Sequence, residues 1–138
     1  MQNLTNAVRS AMCDAQVDLL DAGAGEPTLS IETSGDAALL VIGLNATAAF
    51  GSATNGVATA AAPTTGGGNW STFSQLPSAA GTAAKAKWKD GDGNTLYEST
   101  VSTVAAGTGE VQFATLTFDT AVAVTTTAAP TITVPANS

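Results

Sequence analysis

Apolar residues return every three or four positions at the start of the chain and every second position after Thr28, so the sequence divides into one helical segment and a series of strands. Residues 3–22, NLTNAVRSAMCDAQVDLLDA, carry the helical period. Leu4, Val8, Met12, Ala15 and Leu19 form its stripe, with Ala11 and Leu20 beside them. Asn3 or Asn6 can cap the start. Gly23 ends the helix, because glycine accepts the left-handed conformation that commonly follows a last turn. A helix of this length is marginal alone in water and must lie against something. It can serve as an interaction element, between copies or against another surface, with Leu4, Val8, Met12 and Leu19 as contacts. Or it can cap an open end of the chain's own core.

Beyond the helix, TLSIET alternates Leu29 and Ile31 with polar residues, while ALLVIGL is apolar on both faces and reads as a central strand. NGVATAAAP opens on an Asn-Gly turn signal. From Pro63 to Gly81, PTTGGGNWSTFSQLPSAAG has no period and predicts a long loop, bounded at 63–82. Its Trp70 and Phe73 either fold back as a plug or anchor a partner, and both are candidate partner contacts. Ala84, Ala86 and Trp88 then alternate with Lys85, Lys87 and Lys89, which predicts Trp88 in the core. Val111, Phe113 and the Thr-rich end around Pro130 supply the last strands. Seven or eight strands without crossover helices predict an all-β fold: an antiparallel β sandwich over residues 25–138, preceded by the helix and linker of residues 1–24.

Composition narrows this picture. Leu, Ile, Val and Phe together make up about a fifth of the 138 residues, near the lower edge of what supports a globular fold, so the core must be thin. Four Lys and Arg against eleven Asp and Glu leave a net charge of −7, opposite to what a phosphate-binding surface needs, and nucleic acid is not an expected partner. Without histidine the usual general base is missing. A single cysteine, Cys13, forms neither an internal disulfide nor a thiolate cluster and reads as a small buried side chain. With no G-x-S-x-G or comparable nucleophile motif, an enzyme is not expected, nor is a cofactor. AALLVIGL, at 37–44, is too short to span a bilayer, and the N-terminus has no apolar signal region, so a cytosolic product is expected with no membrane partner.

One short stretch poses a chemical choice. In DGDGN, Asp90, Asp92 and Asn94 have the one, three, five spacing that opens a calcium loop. Its sixth and twelfth positions, however, are Thr95 and Val101 rather than glycine and glutamate, and both flanks alternate like strands. A hairpin turn explains every residue, and no metal site is expected. The three neighbouring lysines form a solvated face, a guard against edge pairing, or a contact for an acidic surface.

The order of segments carries a resemblance. NLTNAVRSAMCDAQVDLLDAGAG, then LSIETSG, AFGSATNGVATA, GTAAKAKWKDGDGNTLYESTV and a closing ITVP resemble the small cement, or decoration, proteins encoded beside the major capsid protein in tailed bacteriophages. The resemblance spans nearly the whole chain. This sequence departs from it by inserting residues 64–81 between the Val57 and Lys85 strands. The resemblance implies a jelly-roll-like sandwich, assembled as a dimer or trimer on the outer capsid surface of the virion after synthesis in the host cytoplasm, clamping neighbouring major capsid protein subunits. A rival reading is a carbohydrate-binding or adhesin-like module, in which Trp70, Trp88 and Tyr97 stack on sugars.

Overall fold

The computed structural model describes residues 3–136. The helix α1 spans Asn6–Asp18 and is capped by Thr5, whose Oγ1 accepts from Val8 N–H, rather than by Asn3 or Asn6. A 3-10 turn, Leu19–Asp21, completes it, and Gly23 follows at a φ of 100°. Its buried side is Cys13, Val17 and Leu20, at 0%, 3% and 0% exposure.

Eleven short strands follow: β1 (Thr28–Glu32), β2 (Ala38–Gly43), β3 (Val57–Thr59), β4 (Ser74–Gln75), β5 (Gly81–Thr82), β6 (Lys85–Lys89), β7 (Thr95–Thr103), β8 (Val111–Phe113), β9 (Thr117–Phe118), β10 (Val124–Thr125) and β11 (Thr131–Thr133). Five of them form a partly curled sheet in the order β2-β1-β6-β7-β8. The others pair as two-stranded ribbons, β4 with β10, β3 with β11 and β5 with β9. The expected helix and β architecture is present, but the expected pair of wholly antiparallel sheets is not. Prolines and glycine runs cut the second layer into ribbons of two or three residues, and β7 and β8 run parallel. That pairing tolerates the brief return of residues 104–110 because it covers only Val101–Thr103 against Val111–Phe113.

A second difference concerns β2. Its double-sided apolar pattern reads as a central strand, yet it lies at the edge of the sheet. The inserted loop makes the edge behave like an interior. Ser78 N–H donates to Leu39 O at 2.8 Å, Gln75 Nε2 to Val41 O at 2.8 Å, Thr64 N–H to Gly43 O at 2.9 Å, and Gly43 N–H to Thr65 Oγ1 at 3.1 Å. These bonds occupy groups that an open edge would offer to another strand. The same loop plugs the core. Trp70 and Phe73 stack with ring centroids 5.5 Å apart, at 6% and 1% exposure, and Trp70 Nε1 donates to Ala61 O at 2.7 Å. Gly66 is fixed by this packing: its φ is 65°, and a Cβ there would lie 2.2 Å from the Phe73 ring.

The inner face of the sheet carries Leu29, Ile31, Leu40, Ile42, Ala86 and Trp88, all at 0% exposure, with Leu29 opposite Trp88 in register. Trp88 meets Phe50 at 5.0 Å and Tyr97 at 6.2 Å between centroids, and its Nε1 donates to Ser99 Oγ at 2.7 Å. The helix belongs to this same apolar cluster. Arg9 Nε donates to Val134 O at 2.9 Å, Cys13 Sγ to Ile132 O at 3.4 Å, and the carboxylates of Asp14 and Asp21 accept from Ala53 and Ala49 N–H at 2.7 and 2.9 Å. Asn55 and Gly56, with φ of 53° and 80°, close a type I′ hairpin between Thr54 and Val57, and Ser10 Oγ accepts from Gly56 N–H at 3.1 Å. Thus α1 caps the core.

Two outcomes follow. Trp88→Ala should cost about 3–5 kcal/mol in urea denaturation, and acrylamide should quench neither tryptophan efficiently in the native state, whereas a loop-exposed Trp70 would quench strongly. Deleting residues 1–23 uncovers Ala58 and Ile132, so the remaining chain should lose its cooperative thermal melt; a sharp transition with native near-ultraviolet circular dichroism would contradict the capping role.

Candidate functional site

Two apolar lines run along α1, and the core accepts only one of them. Cys13, Val17 and Leu20 face inward, leaving Val8, Met12 and Leu19 at 46%, 48% and 58% exposure on the opposite side. Ala11 and Ala15 are exposed beside them. The spacing of Val8, Met12, Ala15 and Leu19 is four, three, four, the narrow seam that one helix offers to a single facing element. Leu4 is set apart from this stripe: it is half-buried, and its N–H donates to Ala136 O at 2.9 Å. Trp70 and Phe73, the aromatic candidates for partner contact, lie inside the core and join no common surface with the helix stripe.

The stripe is held rigidly because the opposite side of the helix is bound so thoroughly. Its flank carries Asp14, Asp18 and Asp21 at successive turns. Asp14 and Asp21 are committed to backbone N–H groups of the 49–53 segment. Asp18 is exposed and has no Lys or Arg within ion-pair distance among the described residues.

On the outer face of the sheet, the three lysines do not stand free. Lys87 Nζ lies 2.9 Å from Glu32 Oε1 and 2.9 Å from Asp36 Oδ1; Lys85 pairs with Asp36; and Lys89 Nζ lies 3.8 Å from Glu32 Oε2. Glu32 is only 3% exposed and also accepts from Ser30 Oγ at 2.8 Å. The acidic surface considered for these lysines is therefore supplied by the chain itself. Alternation in TLSIET places Ser30 and Glu32 on the face opposite Leu29 and Ile31, and pairing β1 beside β6 brings them onto the lysines, a relation that no local motif announces. Burial pushes the Glu32 carboxyl up, but hydrogen bonds from Lys87 and Ser30, with the charges of Lys87 and Lys89, outweigh it and hold the group below its ordinary 4.5. Hydrogen bonds from Lys85 and Lys87, reinforced by their charges, bring Asp36 down to about 2. Asp36 and Glu32 raise Lys87 in turn.

The DGDGN stretch is a turn. Asp90 Oδ1 accepts from Asp92 N–H at 3.0 Å and Asn94 N–H at 2.9 Å, Oδ2 accepts from Asn94 Nδ2 at 3.2 Å, and Asp92 Oδ1 accepts from Ala24 N–H at 3.1 Å. These donors lower the Asp90 pKa, the Asn94 backbone N–H most of all. Both oxygens of Asp90 and one of Asp92 thus hold the hairpin and the helix linker together. Among the described residues no group of three or more His, Cys, Asp and Glu could hold a metal. Cys13 is buried, and burial, opposed by backbone hydrogen bonds, pushes its thiol up, away from a reactive thiolate. A cleft of about 220 Å³ between Gly109, Glu110, Gln112 and the Ala128–Thr131 segment is lined by one carboxylate and one amide, without a cationic group.

No protein family, curated protein or solved structure matches this chain. Its surfaces therefore carry the functional argument. Among the described residues no helix is long and apolar enough to cross a membrane.

The ion-pair network sets an acid dependence. Glu32 and Asp36 are both depressed, so their stabilising effect is complete above the ordinary carboxylate values and is lost as pH falls through the folded ones. The urea midpoint should stay level from about pH 7 to about pH 5 and fall as pH drops from 4.5 toward about 2. In Glu32→Gln/Asp36→Asn that fall should be clearly smaller. An unchanged acid limb in the double variant would remove these carboxylates as its source.

Proposed function

We propose that the chain is a non-catalytic decoration protein of a bacteriophage head, seated on the outer capsid surface and bracing neighbouring subunits of the major capsid protein. The observation that carries this reading is the outer stripe of α1. Val8, Met12 and Leu19 are displayed on a helix whose other side is locked into the core, an arrangement that spends apolar residues where folding does not use them. The order of sequence segments that resembles the cement proteins supplies the identity of the surface that the stripe meets.

In this reading the curled sheet and its ribbons are an opened relative of a jelly roll, and the particle carries the chain as a dimer or trimer made in the host cytoplasm. A bracing protein needs rigid contact surfaces rather than chemistry. Binding that favours the assembled shell stabilises it by mass action, and many modest contacts on one particle act together. The sugar-binding alternative is less favoured, because Trp70 and Trp88 are at 6% and 0% exposure and offer no open ring face.

The experiment is sedimentation of heads made without this chain, mixed with the purified protein. The wild type should pellet with heads and raise their melting temperature. Met12→Gln/Leu19→Gln should bind at least about tenfold more weakly, since about 1 kcal/mol of apolar burial is lost at each half-exposed side chain. That variant should keep the wild-type melt of the free protein. Equal pelleting of wild type and variant would reject the stripe as the contact, and no pelleting of either would reject the shell as the partner.

A further inference from the structure

Side chains close the outward edge of β2 in the manner of a strand. Leu39, Val41 and Gly43 turn backbone groups away from β1, and residues 64–79 occupy them: Ser78 N–H bonds Leu39 O, Thr64 N–H bonds Gly43 O, and a relay lies between. In the relay Gly43 N–H donates to Thr65 Oγ1 at 3.1 Å, Thr65 Oγ1 donates to Gln75 Oε1 at 2.7 Å, and Gln75 Nε2 donates to Val41 O at 2.8 Å. The Gln75 amide thus offers both an acceptor and a donor, as a neighbouring peptide group would. Its place is fixed from behind, because Gln75 pairs with Val124 in the β4-β10 ribbon, and Trp70 and Phe73 of the same segment are pinned in the core. Leu39 is covered as well: it is 1% exposed, and a Cβ on Gly81 would lie 3.0 Å from its Cδ2.

We infer that this strap is an autoinhibitory contact: it keeps β2 from pairing edge to edge with a second copy of the chain, and the Gln75 amide is its closing link. The occupant it excludes follows from β2 itself. An antiparallel two-fold centred on Val41 sets Val41 N–H and O against Val41 of the second copy, and Gly43 N–H against its Leu39 O, so both β2 groups held by the relay find a partner. β2, Ala38–Gly43, carries no charge, and two chains of net charge −7 can meet there without setting like charges opposite one another. An uncharged edge strand, apolar on both faces, is the kind that associates unless it is covered. The cover here belongs to the same chain, so its effective concentration favours it over a second copy. The inference is independent of what the helix stripe meets, and any assembly of copies on a shell uses a surface other than this edge.

The test follows association of the full chain by sedimentation velocity over a concentration series. Thr65→Ala/Gln75→Ala removes the relay without adding apolar bulk. It should keep the native near-ultraviolet circular dichroism and associate at least about tenfold more tightly than the wild type. Adding Val41→Lys, which sets two lysines opposite each other in the two-fold, should return it to wild-type behaviour. Gln112→Ala removes a comparable amide bond, Gln112 Nε2 to Gly109 O, at the opposite edge of the sheet and should sediment like wild type. Should the double variant lose the native signal, Gln75→Ala alone, at a half-buried position, carries the same comparisons. A folded strap variant that associates no more than wild type overturns the inference. So does association that Val41→Lys leaves unchanged, or that Gln112→Ala reproduces.

Discussion

Covering one face of a small curled sheet, with few large side chains to do it, is the constraint on which this structure depends. Along β1, β2 and β6 the inward positions are filled by Leu29, Ile31, Leu40, Ile42, Ala86 and Trp88, but no second sheet of matching width lies opposite. The cover is assembled from unlike parts. The helix brings Cys13, Val17 and Leu20, the loop brings Trp70 and Phe73, and the β3-β11 ribbon brings Ala58 and Ile132. Each part is too small to fold alone, so the helix and loop, which look peripheral in the chain, are integral to the core.

Polar groups do comparable work at the joints. Side chains from α1 satisfy backbone N–H groups of residues 49–56, and Thr64, Thr65, Gln75 and Ser78 satisfy the edge of β2. On the opposite face of the sheet the carboxylate of Glu32 is tolerated in burial because Lys87 and Ser30 meet it directly. With the three lysines drawn into that network, one cation, Arg9, is left against the remaining carboxylates. The rigid display of the helix stripe has its origin in how sparingly this sequence uses large residues, since the helix must be held firmly to complete the core.

Legibility from sequence followed the range of the interaction. The DGDGN turn was readable because Asp90 bonds its own neighbours, and Trp88 because alternation with three lysines marks its face within a single strand. The helix was readable as a helix, but not in its orientation: Val8, Met12 and Ala15 recur at the same four and three spacings as Cys13, Val17 and Leu20, and periodicity cannot say which line meets the core. The longer residues formed the more conspicuous stripe, and it is the outer one. The edge position of β2 was hidden because the groups that cover it come from a segment with no period, more than twenty residues away. The partners of Lys87 were hidden because Glu32 and Asp36 lie on another strand and its turn.

The Asn55–Gly56 hairpin has a consequence for chemical ageing. Asn-Gly pairs are the sequence most prone to deamidation, in which the glycine amide nitrogen attacks the asparagine side chain and closes a succinimide ring. Here that nitrogen donates its hydrogen to Ser10 Oγ, and the Gly56 carbonyl is held by Val134 N–H at 2.8 Å. A Cβ at residue 56 would fall 2.8 Å from Val134 O, so the backbone has little room to swing into the ring-closing geometry. By docking against this turn, the helix that completes the core also holds the Gly56 amide that ring closure would have to free.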